Sequence, residues 1–202
     1  MTNVSWTSLG NDPMRRRKVR PAARLGPVSL ACIITLTFGS VVFGADGSHE
    51  LEYPAVKGHG GVFRVSGQPE LPRQGSKVVV DVTTGAEEGG VNKGLARVAR
   101  FANLFAIGGA DKFEMAVVLH GQATKEALSD GSYSKFFGKA NPNSALFGQL
   151  RAAGVRVLVC GQALTHAGYE PGQTASDVEV ALSAATAIIN RQMQGFAYLP
   201  LF

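Results

Sequence analysis

The stretch KVVVDVTTG, residues 77–85, decides the fold. A short, nearly continuous run of β-branched residues reads as a strand covered on both faces, the kind found in parallel sheets; it is predicted over Lys77–Thr83. Thr84–Gly90 is a glycine-containing loop. Beyond it Val91, Leu95, Val98, Ala102 and Phe105 recur at helical spacing, with Arg97, Arg100 and Asn103 elsewhere on the wheel. Gly108-Gly109 ends that helix.

The alternation then repeats. Phe113–Leu119 (FEMAVVL) is a second strand and runs into His120-Gly121, with helical turns from Ala123 to Phe137. Asn143 is placed to cap a helix that reaches Ala153 and stops at Gly154. Val155–Val159 (VRVLV) is a third strand leading into Cys160-Gly161. Asp177 is read as the cap of an apolar helix through Ile189, and Phe196–Leu199 as a last strand. Strands separated by helix-length segments require βαβ crossovers, hence an α/β fold on a mainly parallel sheet with helices on both faces. All strand C-termini then share one edge, and ligands of such folds bind there. That edge gathers the Thr83–Gly90 loop, His120-Gly121 and Cys160-Gly161-Gln162.

Three sections follow from composition. Of 20 Lys/Arg and 15 Asp/Glu, six bases (Arg15, Arg16, Arg17, Lys18, Arg20, Arg24) and one acid (Asp12) fall in residues 1–44. The remaining residues carry fourteen of each and no net charge, so the net +5 belongs to the leader. The body has no bulk basic field for nucleic acid. A basic run followed by the uncharged stretch Gly26–Gly44, with small Val42 and Gly44 at its end, reads as an export signal cleaved after Gly44. That implies a periplasmic address. The rival reading is an uncleaved anchor, the chain's one route to a membrane. Met14 is an alternative start, and Ser29–Cys32 only loosely resembles a lipoprotein site. Residues 45–75, rich in Gly and Pro, form an extended arm with a short strand at Gly61–Val65; residues 76–202 form the α/β domain.

The chemistry centres on Cys160, the only thiol left once a leader containing Cys32 is removed. At a strand end followed by Gly161 and a helical turn, backbone N–H groups can stabilise a thiolate. Such a thiolate can attack sulfane sulfur or carry a persulfide; otherwise Cys160 is a small buried hydrophobe. His120 ends the neighbouring strand on the same edge and can hold a proton near neutral pH or act as base to Cys160; otherwise it is a hydrogen-bonded strand-end histidine. No third triad member is identifiable. Asp81 lies near the end of its strand, where a capping or hydrogen-bonding role is the simpler one. His49, His59 and His166 lack metal-ligand spacing, and Asn141 and Asn143 read as turn and cap residues. The Gly85–Gly90 loop matches neither dinucleotide nor Walker patterns, and Glu87 and Glu88 repel phosphate. Without a CxxC there is no dithiol cycle within one chain. The apolar C-terminus (Phe196, Tyr198, Leu199, Leu201, Phe202) either docks in its own domain or is buried between subunits.

These segments resemble the DsrE/DsrF-like (DsrEFH) sulfur-relay family, in particular its exported single-domain branch. The resemblance is carried by the KGHGGV segment at 57–62, KVVVDVTTG at 77–85 and GLARVARFANLFA at 94–106. It continues through VVLHGQAT at 117–124, NPNSALFGQLRAAGVRVLVCGQAL at 141–164, DVEVALSAATAI at 177–188 and QGFAYLPLF at 194–202. It implies a three-layer α/β/α sandwich, assembly as homo-oligomers (trimers or hexamers), and passage of sulfur as a cysteine persulfide between donor and acceptor proteins. The sulfur-carrying role falls on Cys160, and His120 is typical of the exported branch. No metal or organic cofactor is implied. The better-known relays act in the cytoplasm, so the export leader is a departure that bears on partner and pathway. The reading that follows is an exported, sulfurtransferase-like sulfur carrier; the alternative is a small-ligand or protein-binding module with a structural Cys160.

Overall fold

The computed structural model describes residues 50–87 and 90–201. The leader with Met14 and Cys32, and also His49, Glu88, Gly89 and Phe202, lie outside the described residues. Two short antiparallel strands come first, β1 (Leu51–Glu52) and β2 (Val62–Phe63). The succession is then β3 (Ser76–Val82), α1 (Lys93–Ile107), β4 (Phe113–Leu119), a 3₁₀ segment at Gly121–Ala127, α2 (Asp130–Phe137), α3 (Ser144–Ala152), β5 (Val155–Cys160), α4 (Gly161–His166), β6 (Val178–Ala181), α5 (Ala184–Met193) and β7 (Ala197–Leu201). Strands β3 to β7 form one sheet in the order β6-β5-β4-β3-β7, and all its pairings are parallel. The expected α/β fold on a parallel sheet is therefore the one observed.

Alternation along the strands sorts the core into two layers. Val80, Val82, Met115, Val117, Leu119, Val155, Val157 and Val159 face one side, against Leu95, Val98 and Ala102 of α1 and Leu146, Phe147 and Leu150 of α3. Val79, Ala116, Val118, Leu158 and Cys160 face the other, against Ala184 of α5 and Phe196. Since β6 and β7 are opposite edges, α5 must cross this second face to join them. Of the C-terminal apolar residues, Phe196 and Leu201 dock in their own domain, while Tyr198 and Leu199 are exposed on this chain.

Four expectations are corrected. Asp177 caps no helix; its carboxylate is 2.8 Å from Arg151, and Val178–Ala181 pairs with β5 as an edge strand. The helix begins only at Ala184, where the Ser183 side chain accepts from the Thr186 N–H. Pairing to an open sheet edge outweighs the helical reading of the apolar run. The turns predicted over Ala123–Phe137 split at Leu128, because Ser129 caps a second helix. Asn143 stands at the start of α3 without capping it: its Oδ1 accepts from Asn92 N–H and its Nδ2 donates to Glu126. Asn103, placed on the polar side of the helical wheel, is fully buried.

Asn103 ties the arm to α1. Its Oδ1 accepts from the backbone N–H groups of Ala55 and Val56, each at 2.8 Å, and its Nδ2 donates to the carbonyls of Val56, His59 and Gly60. The arm comes so close at Gly60 (φ +61°) that a Cβ would stand 2.2 Å from the Arg100 nitrogen, so only glycine fits. A second buried polar cluster braces the C-terminal edge. Glu126 is fully buried and accepts from Ala86 N–H at 2.9 Å and Asn143 Nδ2 at 2.9 Å. Asn141 donates to the carbonyls of Glu126 and Leu128, and its Oδ1 accepts from Asn143 N–H in the turn expected of it. Burial pushes the Glu126 carboxyl above its ordinary value, against the downward pull of these donors and of Lys125.

Two outcomes are expected. Asn103→Ala leaves buried backbone donors and acceptors unpaired and costs about 3 kcal/mol; urea denaturation measures the loss, and limited proteolysis should show cleavage appearing in residues 50–61. For Glu126, a folded-state pKa above the unfolded value of 4.5 means that its favourable contribution is complete below that value and disappears as pH rises through the raised folded pKa. The stability of wild type relative to Glu126→Gln should therefore decline from about pH 4 upward; denaturation midpoints that diverge in favour of wild type with rising pH would contradict this.

Candidate functional site

The C-terminal edge of the sheet is assembled by register. Asp81 pairs with Val118, Val118 with Leu158, and Leu119 with Val159, all in parallel. His120 and Cys160 are the next residues on their strands, so they hold neighbouring positions, and alternation puts both on the face of Val118 and Leu158. Adjacent strands lie roughly 5 Å apart. His120 continues the ladder after β4 has ended: its backbone is extended, and its N–H donates to the Val82 carbonyl at 3.1 Å. Gly121 (φ +57°) then turns the chain off the sheet.

His120 Nε2 is 2.7 Å from Asp81 Oδ1, and the Tyr198 hydroxyl donates to Asp81 Oδ2 at 2.8 Å. Register accounts for both contacts. Tyr198 pairs with Val79, one alternation before Asp81, and His120 follows Val118, the partner of Asp81, by one alternation. A diagonal of Tyr198, Asp81, His120 and Cys160 thus crosses β7, β3, β4 and β5 on one face. The Asp81 side chain is 8% exposed and that of His120 30%. Hydrogen bonding to the Asp81 carboxylate, with some burial and its negative charge, raises the Tyr198 hydroxyl above the ordinary phenol value, so Tyr198 stays a donor.

Cys160 ends β5 and stands at the start of α4, where its Sγ accepts from the Ala163 N–H at 3.4 Å. It is the free cysteine of the described residues, 6% exposed and packed with Leu158, Val118 and Ala184. At Gly161 a Cβ would lie 2.8 Å from the Ala181 carbonyl, so glycine is what allows β6 to pass beside the Cys160 turn. A cleft of about 570 Å³ opens on the same face, past Leu158 and Ala181 and towards Arg156 and Arg191. A larger cavity of about 690 Å³, lined by Phe105, Leu104, Leu71 and Pro72, sits at the C-terminal end of α1, which is the far end from His120 and Cys160.

The structure brings Cys160, His120 and Asp81 to one edge. It does not bring His59 or His166 there: the first belongs to the arm and the second is exposed at the end of α4. The loop after β3 is held by Glu126 through Ala86, and Glu87 pairs with Lys93. Among the described residues no cluster of three or more His, Cys, Asp or Glu is arranged to hold a metal. Sequence reading identified neither Tyr198 nor Asp81 as partners of His120. The available signal was an acid interrupting an otherwise β-branched strand, with its parity opposite to Val80 and Val82.

The DsrE/DsrF-like family model matches residues 77–201. Among solved structures, a protein of unknown function from Methanobacterium thermoautotrophicum is similar, at 22% identity and a TM-score of 0.49, with 62% of this chain and 99% of that chain covered. No curated protein matches. With five parallel strands in the matched region and its C-terminal edge built as described, the chain belongs to the DsrE/DsrF-like family, a family of the sulfur-relay type.

Proposed function

We propose that the protein is an exported sulfur carrier in which Cys160 takes up sulfane sulfur as a persulfide and His120 handles the proton. The observation that carries this reading is the placement by register of the free thiol of the described residues and an imidazole at neighbouring positions on one face, the imidazole bonded in turn to a buried carboxylate. In the step envisaged, the Cys160 thiol passes its proton to His120 and the thiolate attacks the outer sulfur of a hydropersulfide donor, R–S–SH. An Sγ–S bond forms and the donor's S–S bond breaks. The leaving thiolate takes the proton back, giving Cys160–S–SH and RSH with no change in overall oxidation level. No metal or organic cofactor enters this step. The protein assembles as a homo-oligomer, trimer or hexamer, and exchanges sulfur with a donor or acceptor protein. Family membership supports the relay chemistry, and the leader supports a periplasmic address.

A second reading is favoured by one observation, the 6% exposure of Cys160 within a packed apolar layer. On that reading the thiol is structural and the edge binds a small ligand or a protein.

Intact-mass spectrometry after polysulfide treatment of the mature protein separates the two. The carrier gains about one sulfur per chain, and Cys160→Ser abolishes the gain. No gain, or sulfur spread over other residues, favours the binding module. Alkylation across pH gives the same distinction: a carrier thiol reacts below about pH 8.5, and a sealed one stays inert throughout.

A further inference from the structure

The sulfur step as proposed needs Cys160 and His120; it assigns nothing to Asp81 or Tyr198. We infer that Asp81 is a positioning residue that holds His120 in the tautomer with Nδ1 as the basic nitrogen, and that Tyr198, on edge strand β7, holds Asp81 in turn. This rests on the role proposed for His120 and extends it across four strands.

The argument starts from donors and acceptors. An ionised carboxylate can only accept, so a 2.7 Å contact between Asp81 Oδ1 and His120 Nε2 requires the proton on Nε2. In the neutral ring the lone pair then lies on Nδ1, the nitrogen available to take a thiol proton. The second Asp81 oxygen is occupied by the Tyr198 hydroxyl. With both oxygens engaged and the side chain 8% exposed, the carboxylate has little freedom to rotate away from the ring. Among the described residues no Lys or Arg pairs with Asp81, so its orientation depends on these two groups. Packing alone does not explain the arrangement. The same face is otherwise built from Val79, Ala116 and Val118, and a valine at position 81 would suit such a strand without the cost of desolvating a carboxylate. Of the titratable groups beside His120 on this face, β3 contributes Asp81 by direct contact, β5 places Cys160 at the neighbouring register position, and β7 adds Tyr198 behind Asp81.

The test uses the mature protein labelled with ¹⁵N-histidine, its imidazole signals, and the rate of sulfur loading on Cys160 as a function of pH. Wild type should show the Nε2–H tautomer. In Asp81→Asn the side-chain amide can donate to Nε2 and reverse the tautomer, and loading near neutral pH should slow roughly tenfold or more. The deficit should shrink at high pH, where the thiol ionises unaided. Tyr198→Phe should slow loading in the same direction by a smaller factor. If Asp81→Asn keeps both the wild-type tautomer and the wild-type rate at every pH, the inference is overturned. Should Asp81→Asn fail to fold, Tyr198→Phe carries the test alone, since Tyr198 is half-exposed on an edge strand; unchanged signals and rates in that variant would refute the chain of positioning. If wild type never loads sulfur on Cys160, the proposed function fails, and the tautomer comparison still decides the positioning role separately.

Discussion

Side chains on a strand alternate between faces, and in a parallel sheet the register between strands determines which of them meet. Here that constraint governs the whole C-terminal edge. Tyr198, Asp81, His120 and Cys160 come from four strands spread across more than a hundred residues of chain, and they share a face because each has the right parity in its register. A slip of one residue between β3 and β4 would send His120 to the side of α1 and break its contact with Asp81. The valines of β3 and β5 hold that register by filling the layer beneath α1 and α3. Thus the apolar core and the polar diagonal are two results of one alternation.

The other determinant is the treatment of buried polar groups. Asn103 and Glu126 are both fully buried, and both bond to backbone that belongs to no regular element. Burying an amide or a carboxyl is unfavourable unless its bonds are replaced. In each case the replacement partner is a segment that would otherwise be loose: the arm for Asn103, the loop after β3 for Glu126. The edge that carries the candidate thiol is therefore framed from below by Glu126, Asn141 and Asn143, and does not depend on loop propensity alone. On the second face, Cys160 is buried in the layer that also holds Ala184 of α5, whereas the His120 side chain is more accessible.

Much of this was legible in the sequence, for identifiable reasons. The strands at 77–83, 113–119 and 155–159 and the helix read from Val91 to Phe105, observed at Lys93–Ile107, stood out because their periodicity is strong and they are bounded by glycine. The region after Asp177 was misread because Val178–Ala181 is an edge strand whose pairing with β5 leaves little local trace. Asn103 was misplaced because a helical wheel cannot show that an arm from 44 residues upstream will cover one polar position.

The sequence by itself determined the class of fold, the location of Cys160 and His120 at the ends of two strands, and the family, since these depend on local periodicity and short motifs. The tertiary structure alone decided that Asp81 bonds to His120 and Tyr198 to Asp81, that Cys160 is buried in the second-face layer, and that Glu126 is buried beneath the edge loop. Those outcomes follow from strand order and register, which arise from contacts between distant segments and leave no periodic signature in any one of them.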